Sequence, residues 1–187
     1  MKKLLALFLI IGLASCKSPE ARYPVSQKSG SYIDESVARN KKLVAQEEQY
    51  IKNLMAEDST TSYQASADGF WYYYNTKVAD SITNDHPEFG DIVDFEYSIS
   101  SIDGQTIYAE GEKPRRTYAM DQEKLFSGLR QGLKLMKEGE TVTFLFPSHK
   151  AFGYYGDKEK IGTNMPIITK VTLYNIEKQT NNELDNQ

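Results

Sequence analysis

The chain has 187 residues, of which 40% are apolar and 26% charged, and its formal net charge is −4. This length accommodates one domain of ordinary size with extensions, and the composition is that of a globular protein rather than a disordered or polytopic membrane protein. Thirteen Tyr and eight Phe favour β-structure or an aromatic groove. The acidic balance argues against nucleic acid as a partner, because phosphate binding requires clustered Lys and Arg.

The N-terminus has the pattern of a secretory signal. Lys2 and Lys3 form a positively charged start, and residues 4–13 form an apolar run that is too short to span a bilayer. We therefore expect residues 1–15 to be a signal peptide that is removed from the mature protein.

The end of this segment, Leu-Ala-Ser-Cys, resembles the bacterial lipobox, in which the cysteine is lipidated and becomes the mature N-terminus. An ordinary signal peptide with a chance cysteine is the alternative, but the charge, the length of the apolar run and the small residues favour lipidation of Cys16. Two or more acyl chains make a stable membrane anchor. Residues 16–32 are rich in Pro, Gly and Ser and lack an apolar period, so we expect a flexible lipid-anchored tether.

A long amphipathic helix is predicted over residues 33–57. Its apolar residues recur on one helical stripe and include Ile33, Val37, Val44, Ile51 and Met55. Two interpretations of this stripe are open. The helix packs on its own domain, which we slightly favour, or it docks a partner or a second copy of the chain.

Most of the remaining pattern is that of strands. Residues 70–74 are an aromatic run, residues 93–100 alternate between apolar and polar, and shorter strands are predicted at 106–108, 116–120 and 167–176. Residues 58–68 are predicted as a loop and residues 179–187 as a polar tail. Strands outnumber helices and no βαβ alternation is present, so the fold class is α+β, with an antiparallel sheet against one helix.

The most informative stretch is 125–156. Leu125, Leu129, Leu133 and Met136 predict a short helix, which is followed by a Glu-Gly turn, an alternating strand and a loop rich in aromatic residues and glycine. Motifs of metalloproteases, phosphate-binding loops and nucleophile elbows are absent from the sequence. His86 and His149 lie in predicted loops without the spacing of metal ligands, so we expect no metal site.

The order of these elements resembles the FKBP-type peptidyl-prolyl cis-trans isomerases. Residues 90–97, GDIVDFEY, are similar to the family's G-x-x-V-x-V-x-Y strand, and Leu-Phe-x-Gly-Leu at 125–129 is similar to its V-I-x-G-W segment. The loop at 146–153 continues the match. The resemblance implies an FKBP-like domain over residues 63–178, with an antiparallel sheet wrapped around one short helix and a long helix before it. It also implies prolyl isomerisation without a cofactor.

Isomerisation of an X-Pro bond must break amide resonance, against a barrier of about 18–20 kcal/mol. An apolar site that holds the proline ring and excludes water can favour the less polar twisted amide. By the resemblance, the catalytic residues are Tyr97, Phe126, Phe152 and Ile161. The substrate-binding residues are Ile107, Tyr108, Leu125, Leu129 and Thr169.

Departures from the family concentrate at the predicted site. Leu129 stands where the family has a floor tryptophan, Tyr108 replaces a pocket carboxylate, and Phe152 replaces a tyrosine. Two further pocket phenylalanines correspond to Arg116 and Thr169. A hydroxyl on Tyr108 could partly replace a lost hydrogen-bond donor. We expect weak isomerase activity from this set.

The lipobox, the leading helix and the aromatic loop together are most similar to FKBP-type lipoproteins associated with bacterial gliding motility. This resemblance implies a folding factor for exported envelope proteins, which binds proline-containing segments of envelope or motility-machinery proteins and is attached to the outer membrane facing the periplasm. The alternative is a catalytically weak or inactive FKBP-fold chaperone or assembly module that binds partner segments.

Overall fold

The computed structural model describes residues 29–80 and 85–179. The predicted signal peptide, the lipidated Cys16, residues 16–28 of the predicted tether and residues 180–187 of the polar tail lie outside the described residues.

Helices, strands and two short 3-10 turns form the regular structure of the described residues. The helices are α1, Ser29–Glu57, and α2, Ser127–Leu133. The strands are β1 Gln64–Ala65, β2 Trp71–Thr76, β3 Ile92–Ser101, β4 Thr106–Tyr108, β5 Arg116–Ala119, β6 Thr141–Phe146 and β7 Ile167–Glu177. The 3-10 turns, Ser148–Lys150 and Gly153–Tyr155, lie in the connection from β6 to β7.

The strands form one antiparallel sheet in the order β1-β2-β6-β7-β3-β4, and β5 also pairs with β3. The β3–β7 ladder runs from the pair Ile92–Glu177 to the pair Ser101–Ile167. The predicted α+β class, with an antiparallel sheet and a short helix against it, is confirmed. The sequence reading missed β1, because two residues are too few to show a period.

Helix α2 packs very closely on one face of β6. A Cβ atom at Gly128 would lie 2.6 Å from Cδ1 of Phe146 and 2.7 Å from the carbonyl oxygen of Lys150. The absence of a side chain at Gly128 therefore lets the helix backbone approach the strand. The buried core on this face includes Leu129, Leu133, Met136, Phe144 and Phe146.

The C-terminal part of helix α1 packs on the other face of the sheet. Ile51 is fully buried and belongs to a second apolar cluster with Trp71 and Leu145. Successive residues of a strand point to opposite faces, so β6 is buried on both: Phe144 faces α2, and Leu145 faces α1. For this part of α1, the interpretation that the helix packs on its own domain is confirmed.

The chain divides into two compact units, Met1–Ala38 and Arg39–Gln187. The second unit includes most of α1 together with the sheet, so this part of the helix belongs to the body rather than to a separate segment before it. In the first unit, the side chains of Tyr32, Ile33 and Val37 are exposed.

Helix α1 begins at Ser29, four residues before the predicted start, so the end of the predicted tether is helical. The last proline before the helix is Pro24, so every residue from 29 to 32 carries the backbone N–H that a helix uses. Within residues 29–80 and 85–179, no helix is both long enough and apolar enough to cross a bilayer.

Truncation of Ile51 tests whether α1 stabilises the sheet. Ile51→Ala removes a fully buried side chain between α1 and β6 and should lower the free energy of unfolding by about 2–5 kcal/mol. The matched control on the same helix is Val37→Ala, whose exposed side chain should change stability by less than about 0.5 kcal/mol. Urea denaturation measures both. Equal, small effects would show that α1 does not contribute to the core.

Candidate substrate-binding site

The structure brings the apolar residues of the predicted site to one core cluster. Three of them are buried members of the cluster, namely Tyr108, Leu129 and Ile161. Five are partly exposed and pack against it, namely Tyr97, Ile107, Leu125, Phe126 and Phe152. The partly exposed residues provide the apolar surface that a ligand can contact.

Phe126 contacts two other aromatic rings in this region. It is the residue before α2, with an extended backbone, so its side chain lies at the helix start. Its ring centroid lies 4.8 Å from that of Phe152 and 5.6 Å from that of Phe146. Phe146 is fully buried, whereas Phe126 and Phe152 are partly exposed. Phe126 therefore rests on a buried ring, and both rings of the pair keep partly exposed surface.

Tyr97 lies on β3 beside Phe95, with ring centroids 5.8 Å apart. Burial raises the pKa of the Tyr97 phenol; the positive charge of Arg116 opposes this effect, and the negative charge of Asp157 adds to it. The phenol is therefore neutral at physiological pH and can donate a hydrogen bond. Arg116 and Asp157 place one charge of each sign near this hydroxyl.

Two of the predicted substrate-binding residues have no exposed surface. Leu129 and Thr169 are each 0% exposed, so neither offers a surface to a ligand in this conformation. Their part in substrate binding stays a prediction and requires the side chains above them to move. The Thr169 hydroxyl is buried and has no hydrogen-bond partner among the described residues, an arrangement that costs about 1–3 kcal/mol.

The hydroxyl of Tyr108 is used within the protein. It lies 2.5 Å from Oδ2 of Asp157 and 3.0 Å from Oε2 of Glu159, and these oxygens share its one proton. Burial and then these two carboxylates raise the pKa of Tyr108. Nζ of Lys113 and Nζ of Lys160 lie 3.9 and 4.7 Å from the ring centroid. In this conformation the hydroxyl is therefore engaged within the protein, and the expectation that Tyr108 supplies a replacement donor to a ligand stays a prediction.

Asp157 also organises the loop that carries Ile161. Its Oδ1 accepts backbone N–H groups from Glu159 at 2.9 Å and from Ile161 at 2.8 Å. Burial alone would raise the pKa of Asp157, but hydrogen bonds from Tyr108, Ile161 and Glu159 outweigh it and hold the pKa below its usual value. A Cβ atom at Gly156 would lie 2.1 Å from the carbonyl oxygen of Ile161, so this turn requires glycine.

The sequence reading missed Asp157 and Met165 as parts of the site region. Met165 is partly buried against the same cluster as the predicted residues. An Asp followed by polar residues after a glycine is a recognisable signal for a side-chain-capped turn, whereas a lone Met in a loop carries none. Over the described ranges, no three His, Cys, Asp or Glu side chains come together as a metal site.

The hydrogen bonds of Asp157 predict a pH-dependent stability. Its folded pKa is below the unfolded value of 3.8, so the stabilisation is complete well above pH 3.8 and is lost as the pH falls through the folded pKa. Asp157→Asn should lower the free energy of unfolding at pH 7 by about 1 kcal/mol, a value reduced for its partial exposure. The difference from wild type should shrink in acid.

Urea denaturation from about pH 7 to about pH 3 measures this difference. Glu159→Gln is the matched control, because it leaves the two backbone bonds to Asp157 intact and should cost less. The role assigned to the carboxylate would be contradicted if the difference in free energy of unfolding between wild type and Asp157→Asn stayed constant down to the lowest pH.

Comparisons with known proteins agree with the fold and with these elements. The family model of FKBP-type peptidyl-prolyl cis-trans isomerases matches residues 83–174. The probable FKBP-type peptidyl-prolyl cis-trans isomerase FkpA of Neisseria meningitidis serogroup B is 29% identical over 129 residues, which are 69% of this chain and 44% of that protein. The chain thus matches less than half the length of this relative.

Two solved structures share the fold. A peptidyl-prolyl cis-trans isomerase from Pseudomonas syringae pv. tomato has a TM-score of 0.58 at 19% identity, and the match covers 74% of this chain and 96% of that one. FkpA from Escherichia coli has a TM-score of 0.57 at 19% identity, covering 95% of this chain and 82% of that one. The family match spans β3 to β6 and most of β7, so residues 83–174 are similar to the FKBP-type peptidyl-prolyl cis-trans isomerase family.

Proposed function

We propose that this protein is a peptidyl-prolyl cis-trans isomerase that acts on proline-containing segments of other proteins. The observation that carries the proposal is the partly exposed aromatic pair Phe126 and Phe152, in which Phe126 rests on the buried Phe146, within residues that match the FKBP family. Such a surface can hold a proline ring away from water, and isomerisation requires no titrating nucleophile or metal.

The proposed activity is weak compared with that expected of the family. Tyr97 and Ile161 retain the residue types of the family site, and Phe126 keeps an apolar side chain where the family has isoleucine, which supports catalysis. Leu129 and Thr169 are smaller than the aromatic residues they replace and are fully buried, so less aromatic surface faces the ligand. We expect a smaller difference in binding between the planar and twisted amide, and therefore a slower reaction.

A second function is favoured by a separate observation. The hydroxyl of Tyr108 is held by Asp157 and Glu159, and it does not point a free donor at a ligand. A site with an apolar surface and few polar groups can bind a segment without accelerating its isomerisation. The alternative is therefore an FKBP-fold chaperone or assembly module.

We place the protein at the cell envelope as a lipoprotein. The charged N-terminus, the short apolar run and the lipobox-like residues before Cys16 support lipidation. The proposed position is the outer membrane, facing the periplasm, where clients are exported envelope proteins, among them components of a motility or secretion machine. The support for these clients is the resemblance to gliding-motility lipoproteins alone.

Proline-limited refolding tests the isomerase proposal. The full-length chain in mild detergent should accelerate the slow refolding phase of a model protein weakly but measurably. Phe126→Ala should reduce this acceleration at least about tenfold, which corresponds to about 1.4 kcal/mol of transition-state stabilisation. Circular dichroism should show an intact fold.

The matched control is Tyr155→Ala, which removes an exposed aromatic ring from the connection that also carries Phe152 and should leave the rate unchanged. No acceleration by the wild-type protein would rule out the enzyme. Peptide binding that persists in such an inactive protein would then support the binding module.

Cys16→Ser tests the lipid anchor. The variant should move from the membrane fraction to the soluble fraction and should no longer incorporate radiolabelled palmitate, because serine cannot form the thioether on which the anchor is built. Ser18→Ala, two residues further along, is the control and should stay in the membrane fraction. If the Cys16→Ser protein remained membrane-bound, the lipoprotein proposal would be contradicted.

A further inference from the structure

A buried carboxylate connects α1 to the loop of the proposed site. Glu47 lies on α1 and is only 7% exposed. Its Oε2 accepts the backbone N–H of Ser148 at 2.8 Å, and its Oε1 accepts the Ser148 hydroxyl at 2.8 Å. Both carboxylate oxygens therefore hold a single residue that is 101 positions away in the sequence.

The position of Ser148 gives this contact its importance. Ser148 is the first residue of the 3-10 turn Ser148–Lys150, immediately after β6 and Pro147. Backbone N–H groups at the start of such a turn have no partner within it, so the carboxylate supplies one. Glu47 therefore caps the turn with a side chain that belongs to a different element, α1.

The capped turn leads directly to the aromatic pair. At its other end, the carbonyl oxygen of Lys150 accepts the hydroxyl of Ser127, the first residue of α2, at 3.4 Å. Phe126 precedes Ser127, and Phe152 follows Lys150 by two residues. The turn is thus held at both ends, close to Phe152 and to Phe126 in the chain.

We propose that Glu47 is a positioning residue for the isomerase site, and that α1 is a working part of this site rather than a spacer before it. The carboxylate fixes the 3-10 turn, and the turn holds Phe152 against Phe126 at 4.8 Å. The proposal rests on the proposed function for its effect on catalysis. The geometric part can be measured independently of any activity.

Five variants of the full-length chain in mild detergent form the test. Glu47→Ala removes both hydrogen bonds, Glu47→Gln keeps one acceptor, and Ser148→Ala keeps the backbone bond alone. The double variant Glu47→Ala with Ser148→Ala measures the coupling between the two residues. Glu48→Gln changes the neighbouring carboxylate, which pairs with Lys52 on the helix surface, and is the control.

Two measurements are made on each variant. The first is kcat/KM for cis–trans exchange of a short X-Pro peptide. The second is a pair of nuclear Overhauser effects: between the rings of Phe126 and Phe152, which reports the site, and between Ile51 and Trp71, which reports the docking of α1. Trp71 is the only tryptophan, so its signals are unambiguous.

The expected result separates positioning from helix docking. Glu47→Ala should lower kcat/KM about tenfold and weaken the Phe126–Phe152 effect, while the Ile51–Trp71 effect persists. Glu47→Gln and Ser148→Ala should give intermediate losses. The double variant should be no worse than Glu47→Ala, because each substitution removes the same contact, and Glu48→Gln should match the wild type.

Either of two results would overturn the proposal. In the first, Glu47→Ala keeps both the wild-type kcat/KM and the Phe126–Phe152 effect. In the second, every Glu47 and Ser148 variant loses both the Phe126–Phe152 and the Ile51–Trp71 effect. This would mean that Glu47 only docks the helix. If Glu47→Ala does not fold, Glu47→Gln and Ser148→Ala decide by the same criteria. An inactive wild-type protein would defeat the proposed function, and the Overhauser effects would still decide the positioning role.

Discussion

The burial of β6 on both faces is the constraint on which the rest of the structure depends. Phe144 and Phe146 pack under α2, where a glycine lets the helix backbone approach, and Leu145 packs under Ile51 of α1. Because both faces of β6 are covered, the position of its ends is fixed by the packing on either side of it. The loop that follows it therefore leaves the sheet from a fixed point, and the proposed site is built around that exit.

The region of the site combines an aromatic surface with a polar framework. The rings come from the start of α2, from β3 and from the loop after β6, which are far apart in the sequence. Asp157 and Glu47 hold that loop by hydrogen bonds to backbone N–H groups rather than by ion pairs with surface lysines. Hydrogen bonds to a charged group fix direction as well as distance, which suits the placement of an aromatic ring within a small tolerance.

Sequence patterns predicted the elements well, because the apolar period of α1 and the alternation of β3 are local properties. The aromatic site residues Phe126 and Phe152 were predicted from their order along the chain, and they do meet. The burial of Leu145 and Thr169 was not predictable from a single period, since it depends on which element covers the other side of the sheet. Asp157 and Glu47 were missed because hydrogen bonds between distant segments leave no periodic signal.

The cap on Ser148 joins positions separated by 101 residues, which has a consequence for how the chain folds. Closing so long a loop costs entropy that the contact must offset. The cap forms only when α1 and the end of β6 are both in place, and without it the backbone N–H of Ser148 lacks this partner. A chain in which α1 is undocked therefore exposes an apolar helix face and also lacks one attachment of the turn before Phe152.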